Sequence, residues 1–87
     1  MLKNMRIQQL RADLKQFLKD RNLVKKWAKA KRFFEENIRH PSLKVELLEP
    51  KWRGIYSFRL DKQCRALFYI SQGKAEVFQI TKHYKKS

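Results

Sequence analysis

Over residues 44–84 the chain alternates apolar and polar side chains with period two, the pattern of strands that face two environments. Tyr56, Phe58 and Leu60 share one side of the first hairpin strand, with Ser57 and Arg59 on the other. In the next strand Cys64, Ala66, Phe68 and Ile70 oppose Arg65 and Tyr69. Farther on, Phe78 and Ile80 oppose Gln79, Thr81 and, where the strand continues, His83. Upstream, Val45 and Leu47 alternate with Lys44 and Glu46. Superimposed, the four runs predict one greasy sheet face and one face carrying Lys44, Glu46, Arg59, Arg65 and His83. A carboxylate, an imidazole and several cations on an open sheet face form a set suited to handling phosphate.

The N-terminal half has a different period. Ile7, Leu10, Leu14, Phe17 and Leu18 recur at three- and four-residue steps, which predicts a helix. Residues 5–8 fit equally well a short extended segment at the edge of the sheet. Asp20-Arg21-Asn22 breaks the pattern, and Asn22 is read as the N-cap of a second helix. That helix carries Leu23, Trp27, Ala30, Phe34 and Ile38 on one stripe, flanked by Val24 and Phe33, and Pro41 ends it. A short linker makes the pair an antiparallel hairpin. Pro50 and Gly54 mark a loop, and Asp61-Lys62-Gln63 and Gln72-Gly73 mark two tight hairpin connections. Trp52 is expected to pack at the base of its loop, and His40 to be a helix-end residue. The predicted fold is α+β, a single domain over residues 1–87. A helical hairpin (about 4–39) lies on one face of a small antiparallel sheet (about 44–83), whose other face stays open.

Composition sharpens the picture. With 43% apolar and 13% aromatic residues, an 87-residue chain can close one small core. Against 8 acidic residues stand 22 Lys and Arg, a net charge of +14. Such a field attracts polyanions, nucleic acid first, although an acidic protein or an anionic membrane surface would also satisfy it. On the polar side of the second helix Lys25, Lys26, Lys29 and Arg32 are either a phosphate grip or a solvated face. Lys44, Arg59, Lys51 and Arg53 extend the set of candidate RNA-binding cations. One cysteine excludes a disulfide framework and fits a reducing compartment. No apolar run reaches membrane-span length, so a cytoplasmic protein is expected, a monomer or small dimer when free. His40, Cys64 and His83 lack zinc-ligand spacing, and two glycines make no phosphate-cradling loop, so neither metal nor cofactor is expected.

The succession HPSLKVELLEP, GIYSFRLDKQCRALFYI and a terminal KHY, behind a helical hairpin, resembles the RelE/ParE superfamily of bacterial toxins. The likeness spans nearly the whole chain. Its most specific parts are the spacing of Ser57, Phe58, Arg59 and Arg65 and the pair His83-Tyr84. Within the superfamily the chain is most similar to YoeB-type ribosome-dependent ribonucleases. The resemblance implies Glu46, Arg65, His83 and Tyr84 as the catalytic set, with Arg59 as an accompanying arginine. It also implies a toxin of a toxin–antitoxin pair, with messenger RNA on the ribosome as target and an acidic antitoxin as partner. The chain departs from the pattern at Cys64, where an aromatic residue or histidine is usual, and in the three residues that follow His-Tyr.

Chemistry gives each residue two readings. In a positive field Glu46 stays a carboxylate able to accept a 2′-hydroxyl proton, or it pairs with Lys44. His83, with an ordinary imidazole pKa of about 6.5, can donate to a leaving 5′-oxygen or act as base. Arg65 can offer its planar fork to a phosphate, or pair structurally with Glu46. Tyr84 stacks a base or turns toward the helices. Two rival functions follow: a gyrase poison acting by protein binding, and a non-catalytic RNA-binding domain. Neither needs Glu46, Arg65 and His83 together.

Overall fold

The computed structural model describes residues 2–82, so His83 and Tyr84 lie outside the described residues. Two helices, α1 (Ala12–Asp20) and α2 (Val24–Glu36), precede four strands, β1 (Glu46–Leu47), β2 (Tyr56–Arg59), β3 (Cys64–Ser71) and β4 (Lys74–Lys82). The strands form an antiparallel meander in the order β1-β2-β3-β4, and the helical hairpin covers one face. This is the α+β architecture that the two periodicities predict.

The core is built where both patterns point inward. Leu10, Leu14, Leu18, Ala30, Phe34 and Ile38 from the helical half meet Phe58, Cys64, Ala66, Phe68, Val77 and Ile80 from the sheet. Phe34, Phe58 and Phe68 are its centre, all inaccessible to solvent. Phe34 meets Phe68 edge-on at 5.2 Å and Phe58 at 5.0 Å, arrangements that aromatic quadrupoles favour. Cys64 is a small buried core residue, and burial pushes its thiol pKa up.

The first helix is shorter than its apolar spacing predicts. Residues 5–8 are extended and lie beside β4, where Ile7 forms a parallel bridge with Ala75. Ala75 N–H donates to Arg6 O at 2.9 Å, and Gln8 N–H donates to Ala75 O at 2.8 Å. Ile7 reaches the same core from this edge as a helical residue would from α1, so the spacing alone cannot separate the two conformations. Asn4 fastens the segment to α2: its Nδ2 donates to Glu36 O and its Oδ1 accepts Ile38 N–H. Those bonds end α2 at Glu36, five residues before Pro41, which therefore does not stop it.

Asn22 is not an N-cap. It sits in the left-handed region (φ 58°) and closes α1 instead. Leu23 N–H reaches Leu18 O at 2.8 Å and Asn22 N–H reaches Lys19 O at 3.2 Å, the paired bonds of a helix C-terminal motif. The buried side chains of Leu18 and Leu23 complete it. An asparagine tolerates this conformation better than most residues, which is why the same residue reads either way in a sequence.

Alternation fails once in the sheet. Between Leu67 and Phe68 the register with β4 slips: Leu67 faces Gln79 but Phe68 faces Val77. Phe78 is the extra residue of this bulge. Val77 takes the core place, and Phe78 turns to the opposite face, against Tyr69 with ring centroids 5.8 Å apart. The Phe78 carbonyl accepts Arg11 Nη2 at 3.1 Å, tying the bulge to the start of α1. Gln72 (φ 53°) and Gly73 (φ 76°) form the two-residue turn into β4, both in the conformation that such hairpins demand.

Candidate nucleic-acid interface

On the sheet face away from the helices, register fixes which side chains meet. Glu46 is directly opposite Ser57, Ser57 opposite Leu67, and Arg59 opposite Arg65, which in turn faces Thr81. Glu46 and Arg65 therefore share one face from β1 and β3, with Ser57 of β2 between them. Two strand spacings separate the outer strands, about 10 Å.

Arg65 is not spread over the open face. It is only 7% exposed. Its Nε donates to the fully buried Ser57 Oγ at 2.9 Å, and its Nη2 donates to the Lys44 carbonyl at 2.6 Å. Lys44 adopts φ 45°, and the segment before β1 runs beside β2, with Arg59 N–H donating to Leu43 O at 2.7 Å. Arg65 thus joins three successive segments of the sheet and sets where β1, and with it Glu46, begins. Ser57 enters the sequence reading only through the spacing it shares with Phe58, Arg59 and Arg65. That it is the acceptor for Arg65 has no signal beyond a small hydroxyl on the polar side of β2, diagonal to an arginine.

Lys44 is exposed and borders a hollow of about 340 Å³ with Arg39 and His40. The His40 ring stacks on Phe33, centroids 4.0 Å apart and planes within 9°, while its Nδ1 meets Ser42 Oγ at 2.8 Å. Lys29 and Arg32 lie over the Phe33 ring at 5.7 and 5.3 Å from its centroid. The predicted basic face of α2 is thus partly organised on an aromatic, with Lys25 exposed one turn before Lys29.

Lys26 has a different task. Its Nζ is 2.9 Å from Asp61 Oδ2, and Asp61 Oδ1 also accepts the backbone N–H groups of Gln63 (2.8 Å) and Cys64 (2.7 Å). Partial burial alone would raise the Asp61 pKa. The hydrogen bonds from Lys26, Gln63 and Cys64 outweigh it and hold the carboxyl down to about 2. Asp61 so fixes the β2–β3 turn and pins it to α2. Lys26, Lys29, Arg59 and Lys62 border the resulting groove of about 290 Å³.

Lys51 and Arg53 stand exposed on a short 3₁₀ turn, Lys51–Arg53, between β1 and β2. Trp52 between them does not pack at the loop base; it is 85% exposed. No helix among the described residues is long and apolar enough to cross a membrane. A scan of the chain against models of known protein families gives no match, and a search of curated proteins gives none either.

Proposed function

We propose that this protein is a toxin-type endoribonuclease that cuts messenger RNA on the ribosome, with an acidic antitoxin as its partner in the cell. The observation that carries the reading is the placing of Glu46 and Arg65 on one sheet face, with Ser57 between them, in a chain of net charge +14. The resemblance to YoeB-type ribonucleases supports it from the sequence side.

In the proposed reaction Glu46 accepts the proton of a ribose 2′-hydroxyl, and that oxygen attacks the adjacent phosphorus. Arg65, held rigid by Ser57 and Lys44, supplies fixed positive charge as the phosphorane forms. The bond to the 5′-oxygen breaks, and that oxygen takes a proton from His83. The products are a 2′,3′-cyclic phosphate and a 5′-hydroxyl end. Lys25, Lys29 and Arg32 hold backbone phosphates without reading sequence.

A second reading, a protein-binding gyrase poison, draws on Arg65 itself, since an arginine committed to Ser57 and Lys44 serves a binding scaffold equally well. One experiment separates the two. Ribosomes programmed with messenger are treated with the protein and the ends are characterised, with a matched messenger carrying one 2′-deoxyribose at the cut site. Cyclic-phosphate ends on the first messenger and none on the second are expected. Equal cutting of both would remove internal attack, and intact messenger beside stabilised gyrase–DNA cleavage complexes would establish the poison.

A further inference from the structure

Trp52 is the largest apolar side chain left in water among the described residues, and nothing in the core or sheet needs it there. It is 85% exposed, whereas Trp27 is partly buried against Phe58 with ring centroids 5.9 Å apart. The turn that carries Trp52 is ordered. Arg53 N–H donates to Pro50 O and Gly54 N–H to Lys51 O, both at 3.1 Å. Leu48 N–H donates to Ile55 O at 2.8 Å, closing the loop at its base, and Gly54 supplies the left-handed residue (φ 67°) that returns the chain to β2. The indole is therefore presented on a fixed turn. Its two chain neighbours, Lys51 and Arg53, are exposed cations.

Tryptophan and arginine are both enriched in protein-binding hot spots, so the indole alone does not choose its ligand. A tryptophan bracketed by two exposed cations, in a chain of net charge +14, matches a ligand that alternates a flat π-face with a negative charge. Single-stranded nucleic acid has that chemistry: aromatic side chains stack its bases while Lys and Arg track its backbone. Ser57 is five positions after Trp52, a reach of at most about 18 Å, so one strand can span both places. We propose that Trp52 is a stacking platform for an unpaired RNA base, with Lys51 and Arg53 holding the phosphates on either side. This rests on the RNA reading above and adds to it a contact outside the reacting centre.

The test uses the full chain and a fluorescent ten-nucleotide single-stranded RNA at low salt, beside an oligomer of equal length with abasic sites throughout. Trp52→Ala should weaken binding of the intact RNA roughly 5- to 100-fold, and Trp52→Phe should keep most of the affinity. The same Trp52→Ala change should leave abasic binding untouched and the salt slope unaltered. Lys51→Ala/Arg53→Ala should instead lower the salt slope by up to about 1.4 for a single strand. Equal binding of intact RNA by the wild type and Trp52→Ala overturns the platform and leaves the RNA reading standing. A wild type that binds neither oligomer overturns the platform, while the programmed-ribosome experiment above still decides the RNA reading. Intact RNA binding by Trp52→Ala with lost capture of the antitoxin assigns the indole to a protein interface and overturns the proposal.

Discussion

Arg65 Nε lies 2.9 Å from Ser57 Oγ, with Ser57 fully buried and Arg65 7% exposed. A guanidinium withdrawn from water costs several kcal/mol unless its donors are met. Here two of them are met by Ser57 and by the Lys44 carbonyl, so the charge is carried at the price of fixing the segment that leads into β1.

Ser57→Ala should therefore destabilise the fold by about 1–3 kcal/mol, because it leaves a buried charged donor without its acceptor. Arg65→Lys should do no better than Ser57→Ala, since an ammonium cannot reproduce the fork that reaches both partners. Urea midpoints at unchanged m-value measure both. A neutral Ser57→Ala would show that the hydroxyl is not what holds Arg65.

The Asp61 carboxyl predicts an acid limb in stability. Its folded pKa, about 2, lies below the ordinary value of 3.8. The stabilisation is therefore complete above about pH 4 and is lost as pH falls from there toward 2. Asp61→Asn should flatten the stability profile in that window and lower stability at neutral pH by roughly 1–2 kcal/mol. Lys26→Ala should cost less, because the lysine is half in water. Thermal or urea unfolding between pH 2 and 6 reads both.

Division of labour along α2 can be read from salt dependence. Lys25→Ala/Lys29→Ala/Arg32→Ala should lower the slope of log affinity against log salt by up to about 2 on single-stranded RNA. Adding Lys26→Ala should change that slope little, since this charge is already paired with Asp61. A large further drop on removing Lys26 would mean that RNA displaces the carboxylate.

For the proposed chemistry, Glu46→Gln should slow single-turnover cleavage on saturated ribosomes by roughly 10²–10⁴-fold, the usual worth of a general base. Its binding should match the wild type, because the shape and the place in β1 are kept. Equal losses in rate and affinity would make Glu46 a binding residue.

The sheet was readable in the sequence because each strand lays one face on a core, and a period of two has then only one meaning. Two kinds of residue resisted that logic. Phe78 reads as core by strict alternation, yet the slip opposite Phe68 hands its place to Val77, and nothing in the spacing announces an unpaired residue. Ile7 and Asn22 each satisfy two local conformations at similar cost, and distant partners decided between them: Ala75 for Ile7, and Leu18 through the Leu23 amide for Asn22. Of the site, the shared face of Glu46 and Arg65 follows from alternation. Arg65's burial and Lys26's engagement with Asp61 do not, because both depend on how segments cross. Trp52 was misplaced for the opposite reason: burial is the ordinary fate of a tryptophan, and only its surroundings in space show that it escaped.

The bridge between Ile7 and Ala75 also sets a clock on biosynthesis. Ile7 leaves the ribosome well before Ala75, and its segment waits for that strand for roughly 3–15 seconds at ordinary elongation rates. During that interval α1 and α2 can form, but Leu14, Leu18 and Phe34 have no sheet to cover them, since β2, β3 and β4 all follow. The nascent hairpin is thus sticky before it is folded, a natural client for chaperones. Arg65 and Ser57 meet only after that wait is nearly over, so the face that they organise does not exist on a half-made chain.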